Sequence, residues 1–113
     1  MAHRTDLDGR PNFSIALTRD GDTVTIATSG ELDLENVERY REVIETAEAS
    51  DATRIVIDLS ALDYIDSSGL AAVLVAGRRS DLDGHLLFVK AGHGEVRRLL
   101  ELTALDQTLN LID

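Results

Sequence analysis

Cysteine is absent from this 113-residue chain. That removes disulfides, thiol catalysis and thiolate metal sites together. Tryptophan is also missing and aromatics make up only 4% of the residues, so a core has to be built from Leu, Val, Ile and Ala. Basic charge is scarce. Eleven Lys and Arg, among them the single lysine Lys90, face 21 acidic residues, for a formal net charge of -10. A surface that binds duplex nucleic acid displaces counterions with clustered Lys and Arg, so the chain is expected to avoid nucleic acid and anionic membrane. No run reaches the ~18 apolar residues of a membrane span. Residues 1–12 have no apolar signal-peptide segment, and the expected location is the cytoplasm. The acidic surface either serves solubility alone or steers the domain to a basic protein partner.

What is present suffices for one domain, with 43% apolar residues and a length in the usual single-domain range. Residues 1–12, polar and carrying Gly9 and Pro11, are expected to form a flexible tail before a domain over 13–113. Phe13, Ile15 and Leu17 alternate with polar residues, as do Val24 and Ile26, and Asp20-Gly21 separates the runs. This predicts a β-hairpin over 13–30. Asp33 is placed to cap the next segment, in which Val37, Tyr40, Ile44 and Ala47 follow helical spacing. Residues 54–59 form a buried-type strand, a helix is expected from about Ser67 to Ser80, and residues 85–89 form another strand. Val96, Leu99, Leu100 and Thr103 mark a third helix, and Leu109 and Leu111 alternate in a short last strand.

The order β-β-α-β-α-β-α-β predicts an α/β fold, a mixed and mostly parallel sheet of about five strands with helices on one side. Sites in such sheets form at the carboxyl ends of strands. Three strand-to-helix junctions would share that rim: Gly30 to Asp33, Tyr64 to Gly69, and Ala91 to Gly94. Asp33 and Ser67 would then be neighbours although far apart in sequence.

Asp66-Ser67-Ser68-Gly69-Leu70 stands where the strand gives way to the helix. Two readings fit it. Asp and Ser are common helix N-caps, each contributing ~1 kcal/mol. Alternatively, Ser67 is a hydroxyl that receives a phosphoryl group at a helix N-terminus, where unpaired N–H groups and the dipole favour an anion. In that case Asp66 orients the hydroxyl or supplies charge, and Gly69 allows close approach of a partner. Leu70, Ala71 and Val75 are candidates for an exposed apolar patch on this helix.

Three segments together resemble the STAS domain family, and specifically its stand-alone bacterial anti-sigma factor antagonists. They are Gly30-Glu31-Leu32-Asp33, the strand Ile55-Val56-Ile57-Asp58-Leu59, and Asp66-Ser67-Ser68-Gly69-Leu70. The resemblance covers residues 13–112. It implies that Ser67 is the phosphoacceptor, and that Asp33 lies close to it and to the partner contact. It also implies that Asp66, Ser68, Gly69 and the helix from Leu70 belong to the surface that docks a kinase. The implied role is partner switching. The unphosphorylated protein binds an anti-sigma factor that is also a serine kinase, phosphorylation releases it, and a serine phosphatase resets the cycle. Such a protein is a regulator, not an enzyme, and uses no cofactor or metal. The resemblance extends to STAS subunits of lipid transporters and stressosome-like scaffolds, which bind constitutively. Many family members add a final helix, whereas this sequence stops at Asp113, which predicts a differently packed C-terminal face.

Other chemistries lack their residues. A receiver domain would fit Asp58 and Lys90, but it needs an acidic pair after the first strand, where Phe13–Thr18 leads into a hairpin; Asp58 is expected to bond nearby backbone instead. His3, His85 and His93 have no metal-pair spacing. Neither G-x-S-x-G nor a glycine-rich phosphate loop occurs.

Overall fold

The computed structural model describes residues 2–10 and 12–113, with backbone alone at 8–10. The elements are β1 (His3–Arg10), β2 (Phe13–Asp20), β3 (Thr23–Leu32), α1 (Val37–Ala49), β4 (Arg54–Ile65), α2 (Ser67–Asp83), β5 (Leu86–Lys90), α3 (Glu95–Leu102) and β6 (Leu111–Ile112), with a 3-10 turn at Leu105–Gln107. One six-stranded sheet runs in the order β1-β2-β3-β4-β5-β6. The first two pairings are antiparallel and the last three parallel. Each crossover steps to the next strand in the same direction, so right-handed connections place all three helices on one face.

That face holds the core. Ile15, Ile26, Ile55, Ile57, Leu59 and Val89 from the strands meet Tyr40, Ile44, Val73 and Leu100 from the helices, all essentially sealed from solvent. The α1 residues spaced at helical intervals, Val37, Tyr40, Ile44 and Ala47, are all buried. On its outer side, arginines pair at i,i+3, Arg39 with Glu42 and Arg41 with Glu38. Among the described residues the opposite sheet face carries no helix. Ser14 bonds Ser29 there, and the Arg54 guanidinium lies 5.5 Å from the Phe88 ring centre.

The N-terminal segment departs from the expected tail. Residues His3–Arg10 form an edge strand paired antiparallel to β2, from His3 opposite Arg19 to Arg10 opposite Phe13. This makes the sheet six strands instead of about five. Backbone hydrogen bonds hold such a strand whatever its side chains, and mixed charges such as Arg4 and Asp6 suit an edge that must not recruit a neighbour. Met1 and Pro11, counted with that tail, lie outside the described residues.

The fourth strand also differs, running to Ile65 and not stopping at Leu59. Asp58 turns back on its own chain, its Oδ1 accepting from the Ser60 N–H at 2.9 Å and the Ser60 hydroxyl at 2.6 Å. The pairing with β3 shifts register just there and resumes from Ser29 opposite Ala61 to Leu32 opposite Ile65. The added length of β4 carries the start of α2 beyond the end of β5.

Candidate functional site

The register of β3 on β4 brings two strand ends together. Leu32 pairs with Ile65, and the Asp66 N–H donates to the Leu32 carbonyl at 3.1 Å. Asp33 and Asp66 therefore leave the sheet side by side, as the topology predicts for that pair of junctions. The third junction does not reach this rim. Lys90 pairs with Asp58, and Gly92 lies against Ser60, well short of Asp66. The chain returns to the rim only through the first turns of α3.

Gly30 permits the close packing at the base of this corner. Its φ of +87° lies in the left-handed region, and a Cβ there would sit 2.1 Å from the Asn12 carbonyl oxygen. That same oxygen accepts from the Glu31 N–H at 2.8 Å. Only glycine meets both conditions.

Asp33 closes a turn ahead of α1. Its Oδ1 accepts from the Glu35 N–H at 3.0 Å, while its own N–H donates to Asn36 Oδ1 at 2.9 Å. Asn36 Nδ2 reaches back to the Glu31 carbonyl at 2.8 Å. The Val37 N–H donates to the Asp33 carbonyl at 2.9 Å. Asp33 thus caps one turn before the regular helix, with Asn36 reciprocating in the manner of a capping box.

Asp66 is the N-cap of α2. Its Oδ1 accepts from the Ser68 N–H at 3.0 Å, the Gly69 N–H at 3.1 Å and the Ser68 hydroxyl at 2.6 Å. The Ser68 hydroxyl, then the Gly69 N–H, hold its carboxyl below the ordinary value against the opposing effect of burial. Asp66 therefore orients Ser68 and not Ser67. It also occupies the Ser68 and Gly69 amides, two of those the sequence offered to an incoming anion. Ser67 is exposed, and its hydroxyl has no hydrogen-bond partner among the described residues.

The other motif residues divide between surface and core. Gly69 is buried, and a Cβ there would meet Ile65 Cγ1 at 2.8 Å and Leu32 Cγ at 2.9 Å. The close approach it permits is internal, against the two strand ends, and it offers no surface to a partner. Leu70 is half-buried against the core. Ser67, Ala71 and Val75 share an exposed stripe at i, i+4, i+8.

Two exposed apolar side chains beside the site escaped the sequence reading, Leu34 at 75% and Tyr64 at 50% exposure. Leu34 follows Asp33, which leaves the sheet beside Asp66, so Leu34 stands next to the cap. Tyr64 lies three residues before Ser67. Alternation could not single it out, because the buried residues Leu62 and Ile65 are three apart where β4 slips register.

The family model described as STAS domain matches residues 14–113. The chain belongs to the STAS domain family. This STAS domain is 28% identical over 101 residues to the anti-sigma-F factor antagonist RsfB of Mycobacterium tuberculosis, covering 88% of this chain and 81% of RsfB. Its fold matches an anti-sigma factor antagonist from Mycobacterium paratuberculosis with a TM-score of 0.80 at 24% identity, over 93% of this chain and 89% of that one. It also matches SpoIIAA, a Bacillus cell fate determinant and anti-sigma factor antagonist, at 27% identity over 88% of this chain. The TM-score is 0.72 for the unphosphorylated form, over 88% of SpoIIAA, and 0.68 for the phosphorylated form, over 91%. The described helices of this STAS domain include none long and apolar enough to cross a membrane.

Proposed function

We propose that this STAS domain is a cytoplasmic anti-sigma factor antagonist switched at Ser67. Unphosphorylated, it binds an anti-sigma factor with serine kinase activity, which then releases its sigma factor. In the kinase reaction the Ser67 Oγ forms a new P–O bond to the γ-phosphoryl group of ATP, ADP leaves, and the hydroxyl proton passes to a base on the kinase. A serine phosphatase restores the hydroxyl. The domain itself performs no catalysis and contacts neither nucleic acid nor membrane.

One observation carries the reading: the Ser67 hydroxyl is exposed and has no hydrogen-bond partner among the described residues, at the edge of a helix that Asp66 caps without it. The three relatives named above, each an anti-sigma factor antagonist, support the role. The physics of release follows from charge. A phosphoryl group adds about -1.5 to -2 beside Asp66, with Asp33 and Asp63 nearby. Two of the amides at the helix start, those of Ser68 and Gly69, are held by Asp66 and do not neutralise it. A docking surface matched to the neutral hydroxyl loses complementarity with no rearrangement of the fold.

Paired Ser67→Ala and Ser67→Asp proteins test this against the serine-kinase anti-sigma factors encoded in the same genome, each purified singly. The Ala variant is expected to bind one of them and resist phosphorylation. The Asp variant is expected to bind at least ~10-fold more weakly, since a carboxylate desolvated in a contact matched to a neutral hydroxyl, with no counter-charge placed for it, costs more than about 1.4 kcal/mol. Equal affinities would remove the switch and leave Ser67 as part of a helix start, in a constitutive STAS subunit.

A further inference from the structure

Beside the switch lies a cleft that nothing above uses. It has a volume of about 180 Å³ and is lined by Asp63, Tyr64 and Ile65 at the end of β4 and by Glu95, Val96 and Leu99 on α3. Its parts have distinct characters. Ile65 and Val96 are buried and Leu99 half-buried, giving an apolar floor, whereas Asp63, Tyr64 and Glu95 are exposed and form the rim. Neither rim carboxylate has an ion-pair or hydrogen-bond partner among the described residues. The cleft exists because β4 overshoots β5, so that the first turns of α3 close against strand residues that pair with β3 on one side and have no strand on the β5 side.

We propose that this cleft receives an arginine side chain of the anti-sigma factor, a docking contact separate from Ser67; this rests on the function proposed above. The aliphatic stem of an arginine fits the floor of Ile65, Val96 and Leu99. Its guanidinium then lies between two unpaired carboxylates, with the Tyr64 ring available for stacking. An apolar anchor would instead strip water from Asp63 and Glu95 with nothing in return. The chain's net charge of -10 favours a basic partner face. Position also favours the partner that engages Ser67. Tyr64 is three residues away, no more than ~11 Å along the chain. A standard interface covers about 800 Å² of each partner, a disc of ~16 Å radius, so a kinase seated on Ser67 covers the cleft.

The cleft and the switch make separable contributions. Cleft charge acts on encounter and affinity before any phosphate is present, whereas Ser67 decides release. Glu95 is exposed at the first position of α3, so substitutions there leave the core intact. Against the same purified kinase, Glu95→Lys is expected to lower affinity ~10-fold, mostly through slower association and with a weakened salt dependence. Glu95→Gln is expected to give ~3-fold, and Glu45→Lys, an equal charge change on the outer side of α1, less than 2-fold. Replacing the kinase's surface arginines one at a time by glutamate should yield one variant that restores binding to Glu95→Lys.

The outcomes separate the two readings. If Ser67→Asp abolishes binding while Glu95→Lys matches Glu45→Lys, the cleft proposal fails and the switch stands. If the Ser67 variants bind equally but Glu95→Lys is weak and is rescued by one arginine exchange, the cleft stands without the switch. A defect confined to phosphatase turnover would assign the cleft to that enzyme and overturn the proposal. No binding by the wild-type protein would overturn both.

Discussion

Two strands end beside each other in this domain, each followed by an aspartate and a helix, and the two aspartates are used differently. At the β3–α1 junction Asp33 shares the work with Asn36: one side chain accepts from Glu35, the other accepts from Asp33 and donates to Glu31. The polar groups of that turn are consumed locally. At the β4–α2 junction a single carboxylate takes three donors, and the hydroxyl immediately after it is left over. A distributed cap makes a rigid corner. A concentrated cap makes a corner and also leaves one reactive group without structural duty. The second arrangement is what a modification site requires.

The largest effect that bears on this comparison is at its base. Gly30→Ala combines a left-handed φ with a clash against backbone, and is expected to cost about 3 kcal/mol or more by chemical denaturation. Gly69→Ala also crowds its neighbours, the buried Ile65 and Leu32 side chains, but meets no backbone and needs no left-handed φ, and it gains up to about 1 kcal/mol of helix propensity, so its net cost should be smaller. The reverse order would mean that the β4–α2 corner is the more constrained of the two. Next come the caps. Asp66→Ala should cost about 2 kcal/mol, at the upper end for an N-cap, and Asp33→Ala about 1 kcal/mol because Asn36 keeps its own bonds. Similar losses would erase the distinction between concentrated and distributed capping.

A pH titration sharpens it further. The Asp66 carboxyl is held below its ordinary value of 3.8. Its contribution is therefore full above that value and is lost as pH falls through the lower, folded-state one. Asp66→Asn keeps a cap but not the titration. The melting-temperature gap between wild type and Asp66→Asn should be constant near neutrality and shrink below about pH 4. A gap independent of pH would show that charge has no part in this cap. The smallest effect belongs to Ser67→Ala, expected within about 0.5 kcal/mol of wild type. A larger loss in denaturation would mean that the hydroxyl does hold the helix start.

Much of this corner was legible beforehand because its signals are local. Asp66 before an apolar helix, the Asp20-Gly21 hairpin and the spacing of Val37, Tyr40, Ile44 and Ala47 each depend on residues within a few positions. What was hidden depends on pairing. β1 has little apolar pattern and is held by backbone bonds to β2. Asp58 and Ser60 resemble a strand end, yet their mutual bonds make a kink that β4 passes through. That error hid the length of β4, and with it both the stranding of the third junction beside Ser60 and the contact of α3 with Asp63–Ile65. Asn36 was invisible for a related reason, because its value lies in reaching Glu31 across a turn whose shape the sequence does not reveal.

The idle Ser67 hydroxyl has a further consequence. Under the proposed function, the protein keeps its record in a covalent bond and not in a choice between shapes. A conformational switch relaxes on its own clock and blurs as its two basins interconvert. A phosphoester on a side chain that supports nothing has no such drift: the scaffold is indifferent to the mark, and only an enzyme writes or erases it. The persistence of the signal is then set by the balance of kinase and phosphatase, and mutations that merely stabilise or loosen the fold should leave that memory unchanged.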